Sequence, residues 1–365
     1  MAAGKLLIDV HTHVYLPRYA AFLRSRTDVP RIFTRTSPEG QPEERLLILD
    51  DEPPTGRPVG AQYWDRDEKL KFMDLHSIDM SVVSSANPWL DFLPASTAHK
   101  LAEELNVDLE DFCATGPTLS PTLKRLYGFG LLPLVPGAST AELVSTVEQI
   151  ARLPHLKGLI MGTKGVGKGL DDDALEPVWA AIEQAGLIVF LHPHYGVDKN
   201  AWGEKENGHV LPLALGFPFE TTIATTRLIL AGVLDRYPSL KLLLAHSGGA
   251  LPQLSSRLAS CVTHDPLVAS RLQHDARFYL GRLHFDAVAY GAEELGFVAD
   301  AAGRAHAYAS TAASATASVG AAGAGKRWKS VVENLEAIEG VDGWGEGEKD
   351  AVRGGNALRL LGLGA

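Results

Sequence analysis

The sequence predicts an α/β protein built as a (β/α)8 barrel, and three observations carry that expectation. Short apolar runs alternate with amphipathic stretches, the pattern of parallel strands joined by crossover helices. Six clear strands and a weaker seventh, mostly followed by helices, approach the count of an eight-unit barrel. The length of 365 residues suits one large domain, spanning 1–365, with an insertion.

The first strand is expected over 5–10 (KLLIDV). The next five apolar runs are 80–85 (MSVVSS), 126–132 (LYGFGLL), 156–161 (LKGLIM), 187–191 (LIVFL) and 240–245 (LKLLLA). A weaker strand covers 277–285. Helical periodicity marks 97–113, 140–152, 173–185, 220–237, 250–263, 328–339 and 348–361. Two segments break the rhythm. Residues 15–75, rich in Pro, Arg, Asp and Glu, separate the first two strands, and so long a connection reads as a lid-like insertion over the barrel mouth. Residues 305–325 hold 18 Ala, Gly, Ser or Thr among 21 positions, a flexible low-complexity tract where the eighth strand belongs.

Composition excludes several roles. With 44 acidic against 34 basic residues the net charge is −10, which disfavours nucleic acid or an anionic membrane surface as partner. Cys113 and Cys261 cannot form a multi-bridge scaffold and fit a reducing compartment. No run of 18 apolar residues and no secretory signal pattern is present, so a cytoplasmic location is expected.

Three histidine groups end predicted strands, where barrel enzymes place their chemistry: His11-Thr12-His13, His192-Pro193-His194 and His246 in LLLAHSGGALP. Each alone is weak, since HxH arises by chance and a strand-end histidine is often a satisfied core residue. Together, at strands one, five and six, they match a mononuclear metal barrel. In that pattern two imidazoles come from strand one, one from strand five, and a catalytic histidine from strand six. The remaining histidines lie on helices, loops or the low-complexity tract and read as structural.

The stretches DVHTHVYLPRY, TGRPVGAQYW, SSANPWLDFL, GLIMGTKGVGKGLDD, VFLHPHYG, GHVLPLALGFPFETTIA, LLAHSGGALP and GGNALRLLGL carry a resemblance along nearly the whole chain. The chain resembles the amidohydrolase superfamily, specifically its aminocarboxymuconate-semialdehyde-decarboxylase-like branch. Within that branch it is most similar to the fungal uracil-5-carboxylate (iso-orotate) decarboxylases. The resemblance implies a metal-dependent, non-oxidative decarboxylase acting on a small unsaturated or aromatic carboxylate, with uracil-5-carboxylate favoured. An aminocarboxymuconate-type substrate, metal-dependent hydrolysis, or a binding-only relative are the alternatives. His11, His13 and His192 would ligate the metal, zinc first and manganese second, with His246 at its open face. Arg57, Asn87 and Thr163 would meet the substrate, and Glu220 would orient a metal-bound imidazole. Relatives form dimers or tetramers, so a homo-oligomer is expected.

The same resemblance expects a protonated aspartate after strand eight, in a pattern close to RLMFGTDHPFF, to protonate the carbon that loses CO2. Counting from Asp286-Ala287-Val288 puts Thr311 on the threonine and Ala312 on the aspartate, and no acid occurs between Asp300 and Glu333. Three readings stay open. Another donor (Asp286, His246 or a metal-bound water) serves an active enzyme; the chain is a degenerate binder; or a frame or splice error lies between Arg304 and Trp328.

Overall fold

The computed structural model describes residues 6–363 apart from 51, 53, 198–201, 206 and 304–326. Its main sheet has seven strands in chain order, every pair parallel. They are β1 (Ile8–Val14), β2 (Met80–Ser85), β3 (Leu126–Leu131), β4 (Leu156–Gly162), β5 (Ile188–His192), β6 (Lys241–Leu244) and β7 (His284–Phe285). The intervening helices are α1 (Arg66–Leu75), α2 (Ala95–Ala114), α3 (Thr140–Ala151), α4 (Glu176–Ala185), α5 (Phe217–Leu230) and α6 (Leu251–His264). After β7 come α7 (Ala292–Ala302) and α8 (Lys329–Gly340). The expected eighth strand, with Ala312, falls on 304–326 and lies outside the described residues.

Alternate strand residues enter two apolar layers, as burial on both faces of a parallel sheet requires. Ile8, Val10, Val82, Phe129, Ile160, Ile188, Phe190 and Leu243 share the layer inside the curled sheet. Val83, Leu159, Val189, Leu191, Leu242 and Leu244 pack with Leu109 of α2, Val147 of α3, Ile182 of α4 and Leu228 of α5 in the outer layer. His192 continues the inward series Ile188, Phe190 and so faces the barrel interior at the strand's carboxyl end.

β1 starts later than expected and runs through both histidines. Its register against β2 shifts between Asp9 and Thr12, one extra residue on β1. That bulge changes the phase of the strand. Ile8 and Val10 face inward before it; after it His11 and His13 do, while Val14 joins the outer layer.

One further expectation changes. The predicted strand over 277–285 shrinks to β7, because Asp275 accepts the Arg277 N–H at 2.8 Å and caps a helix over Ala276–Leu280. Residues 15–75, expected as a lid-like insertion, carry secondary structure of their own. They form a helix (Pro17–Arg24), a small antiparallel sheet of Arg31–Thr36, Pro42–Leu47 and Arg57–Pro58, a short helix, and then α1, the crossover helix of the first barrel unit. No described helix is long and apolar enough to cross a membrane.

Candidate metal centre

Four imidazoles meet at the carboxyl ends of β1, β5 and β6. Ring centroids lie 5.1 Å apart for His11 and His13, 5.0 Å for His11 and His192, 4.9 Å for His13 and His192, and 5.1 Å for His11 and His246. Ligand-capable atoms of His11, His192 and His246 all lie within 4.8 Å of one another. By ring centroids His11, His13 and His192 stand slightly closer together than His11, His192 and His246, whose third separation is 5.4 Å, so His246 and His13 both border the same point. His246 enters because β6 ends in a sharp turn, with positive φ of 55° at His246 and 51° at Ser247.

The outer nitrogen of each ring fixes the inner one. His11 Nδ1 meets Asp286 Oδ2 at 2.6 Å, His13 Nδ1 meets Ser84 Oγ at 2.9 Å, and His192 Nδ1 donates to the Pro193 carbonyl at 2.8 Å. The Nε2 atoms of these three rings, and Nδ1 of His246, are buried with no hydrogen-bond partner among the described residues. Buried polar atoms are rarely left so. Burial, reinforced by the neighbouring imidazoles, holds His13 and His192 well below the usual histidine range. Burial likewise lowers His246 to about 4. Neutral imidazoles with free lone pairs are the form that ligates a metal. The donor set therefore fits a divalent ion of the zinc type.

Asp286, one of the alternative proton donors left open by the sequence, organises the cluster. Its Oδ2 takes His11 Nδ1 and the His246 N–H (3.0 Å), and its Oδ1 takes the N–H groups of Ser247 (2.8 Å) and Val288 (3.1 Å). Burial pushes its carboxyl up, but the His11 bond, the nearby imidazoles and the Ser247 amide outweigh it and hold the group below the ordinary carboxylate range. An acceptor on both oxygens has no proton to give. Its signal was available: it ends β7 just as the histidines end theirs, but the two-residue strand hid the position.

A cavity of about 1070 Å³ opens from the cluster, lined by His13, His192 and His246 and by Arg57 and Asn87. Arg57 pairs with Glu52 through Nη2, while its Nε, like Asn87 Oδ1, is buried without a partner among the described residues. Asn87 is anchored by Nδ2, which donates to the carbonyls of His194 and Pro193. Thr163 does not line this cavity: its hydroxyl is turned to Glu220. Glu220 contacts no imidazole directly among the described residues; it accepts from Thr163, from the His194 N–H (2.7 Å) and from the Gly196 N–H. His194 turns away from the cluster, its Nε2 2.9 Å from Asp91. Gly162 permits this, since a Cβ there would lie 2.5 Å from His194 Nδ1 and 2.7 Å from Trp89 Cζ3.

A curled parallel sheet with inward imidazoles at its carboxyl ends defines an α/β barrel protein of the metal-dependent kind. The amidohydrolase family model matches residues 8–307, and the chain belongs to that family. It is 28% identical over 310 residues to the 2-amino-3-carboxymuconate-6-semialdehyde decarboxylase of Dictyostelium discoideum, covering 84% of this chain and 79% of that protein. The crystal structure of Metarhizium anisopliae IDCase, an isoorotate decarboxylase, in apo form superposes with a TM-score of 0.90. Identity there is 39%, over 100% of this chain and 99% of that one. The fold is shared with a Novosphingobium aromaticivorans 5-carboxyvanillate decarboxylase complexed with manganese (TM-score 0.73, 20% identity, 99% and 97% covered). The relatives are decarboxylases of small carboxylates, and the chain is a member of this metal-dependent group.

Proposed function

We propose that this protein is a metal-dependent carboxy-lyase whose substrate is uracil-5-carboxylate or a closely similar ring acid. One observation carries the reading: unpartnered nitrogens of His11, His13, His192 and His246 converge at the inner end of a cavity that also presents Arg57 Nε and Asn87 Oδ1. The 39% identity to IDCase over the full length supports the choice of ring acid. A divalent metal bound there, zinc being the choice that the all-imidazole donor set favours, would supply Lewis-acid polarisation of the substrate carboxylate. His11, His192 and either His13 or His246 would hold it. Arg57 donates from Nε to a ring or carboxylate oxygen, and Asn87 Oδ1 accepts a ring N–H. The segment ahead of α1 covers the cavity, contributing Leu46, Ile48, Arg57 and Tyr63 to its wall.

A second reading, a carboxylate binder without turnover, is favoured by the acid-free stretch 301–332. Asp286 cannot fill the gap, and the described carboxylates on the cavity wall are Glu52, Glu204 and Glu294, the first committed to Arg57. The experiment is release of CO2 and uracil from uracil-5-carboxylate by the zinc-loaded chain and by Ala312→Asp. Release in either supports the lyase, and release only in Ala312→Asp assigns the missing step to that position. Binding without release in both supports the binder.

A further inference from the structure

Glu220 lies in the first turn of α5, off the cavity wall, and touches no cluster histidine. It nevertheless reaches one through a single peptide group. Its Oε1 accepts the His194 N–H at 2.7 Å, and the carbonyl of that same Pro193–His194 peptide accepts from His192 Nδ1 at 2.8 Å. We infer that Glu220 is a positioning residue for His192, setting its tautomer and strengthening its donor nitrogen through the Pro193–His194 peptide. This rests on the metal site proposed above.

A carboxylate pulling on a peptide N–H increases the negative charge on its carbonyl oxygen, because bonds in a chain polarise one another. The stronger acceptor holds the His192 proton on Nδ1 and leaves Nε2, which has no partner, as the better electron donor. Asp286 does the same for His11 directly, at 2.6 Å. Two ligands from strands on opposite sides of the cluster thus each have a carboxylate behind them, one in contact and one a peptide away. Asn87 Nδ2, 3.3 Å from the same Pro193 carbonyl, fixes the peptide plane. Glu220 Oε2, bonded to the Gly196 N–H, prevents the carboxylate from turning away. Glutamine keeps the shape but not the charge, and its amide must set an NH2 against one of the two backbone N–H groups.

The test measures zinc affinity by chelator competition for the full chain and for Glu220→Gln, with the melting temperature of each metal-free protein alongside. The expected result is zinc affinity weakened by about tenfold, the lower end for loss of such a partner. A carboxylate that merely pins the loop would lower the melting temperature and leave the zinc affinity of the folded protein unchanged, which overturns the inference. Should Glu220→Gln fail to fold, the unaltered chain decides. Adding zinc should move the His194 amide proton downfield as the bond to Glu220 strengthens, and an unmoved amide overturns the inference. An unaltered chain that binds no zinc removes both this inference and the metal site, whereas zinc bound equally by both proteins removes this one alone.

Discussion

Replacing Asp286 with asparagine changes one atom and disturbs four bonds. The carboxylate now accepts at 2.6 Å from His11, 3.0 Å from the His246 amide, 2.8 Å from Ser247 and 3.1 Å from Val288, two bonds on each oxygen. Asparagine offers one acceptor. If its oxygen serves Ser247 and Val288, its NH2 faces His11 Nδ1 and the His246 N–H. His11 then satisfies the amide only by moving its proton to Nε2, the nitrogen that points into the cluster. The reverse orientation strands the Ser247 and Val288 amides instead. A buried donor without a partner costs about 1–3 kcal/mol, so metal-free Asp286→Asn should lose roughly 2–5 kcal/mol of stability. Metal affinity should fall by about 10- to 100-fold, through the wrong tautomer and the lost negative charge. Denaturant unfolding of the chelated protein and zinc competition read the two effects separately. Wild-type zinc affinity in a folded Asp286→Asn protein would refute the assignment of Asp286 as the group that sets His11.

The pH dependence of the metal-free protein follows from the lowered imidazoles. His246, lowered to about 4, and His13 and His192, held by burial well below the usual histidine range, stay neutral in the fold while the unfolded chain takes up protons near 6.5. Stability should therefore fall as pH drops from about 6.5 toward 4, by about 1.4 kcal/mol per pH unit for each such group. Melting temperatures that are flat across pH 7 to 5 would contradict this. Gly162→Ala places a Cβ 2.5 Å from His194 Nδ1 and should cost roughly 1–3 kcal/mol by denaturant unfolding. A neutral result there would mean that His194 and Trp89 move aside freely.

The sequence made the barrel and its histidines legible because both obey local rules: apolar strands of the right length, and polar residues at their carboxyl ends. HTH, HPH and HSGG each sit at such an end. What it hid depends on distance along the chain. Asp286 reaches His11 across 275 residues, and Glu220 reaches the His194 amide across 26. No periodicity announces either contact. His246 was expected beside the cluster, but the turn that brings it there, with positive φ at the end of β6, is not announced by spacing. The bulge in β1 likewise shows only in the pairing with β2, although its effect, two inward histidines, was anticipated from their spacing.

The four converging imidazoles are expected to hold one divalent metal. Elemental analysis of the purified full-length chain and of His192→Ala tests this most directly. About one zinc or manganese per chain is expected in the unaltered protein, and its loss from the variant. A metal-free unaltered protein after zinc loading, or a variant that retains its full complement, would contradict this expectation.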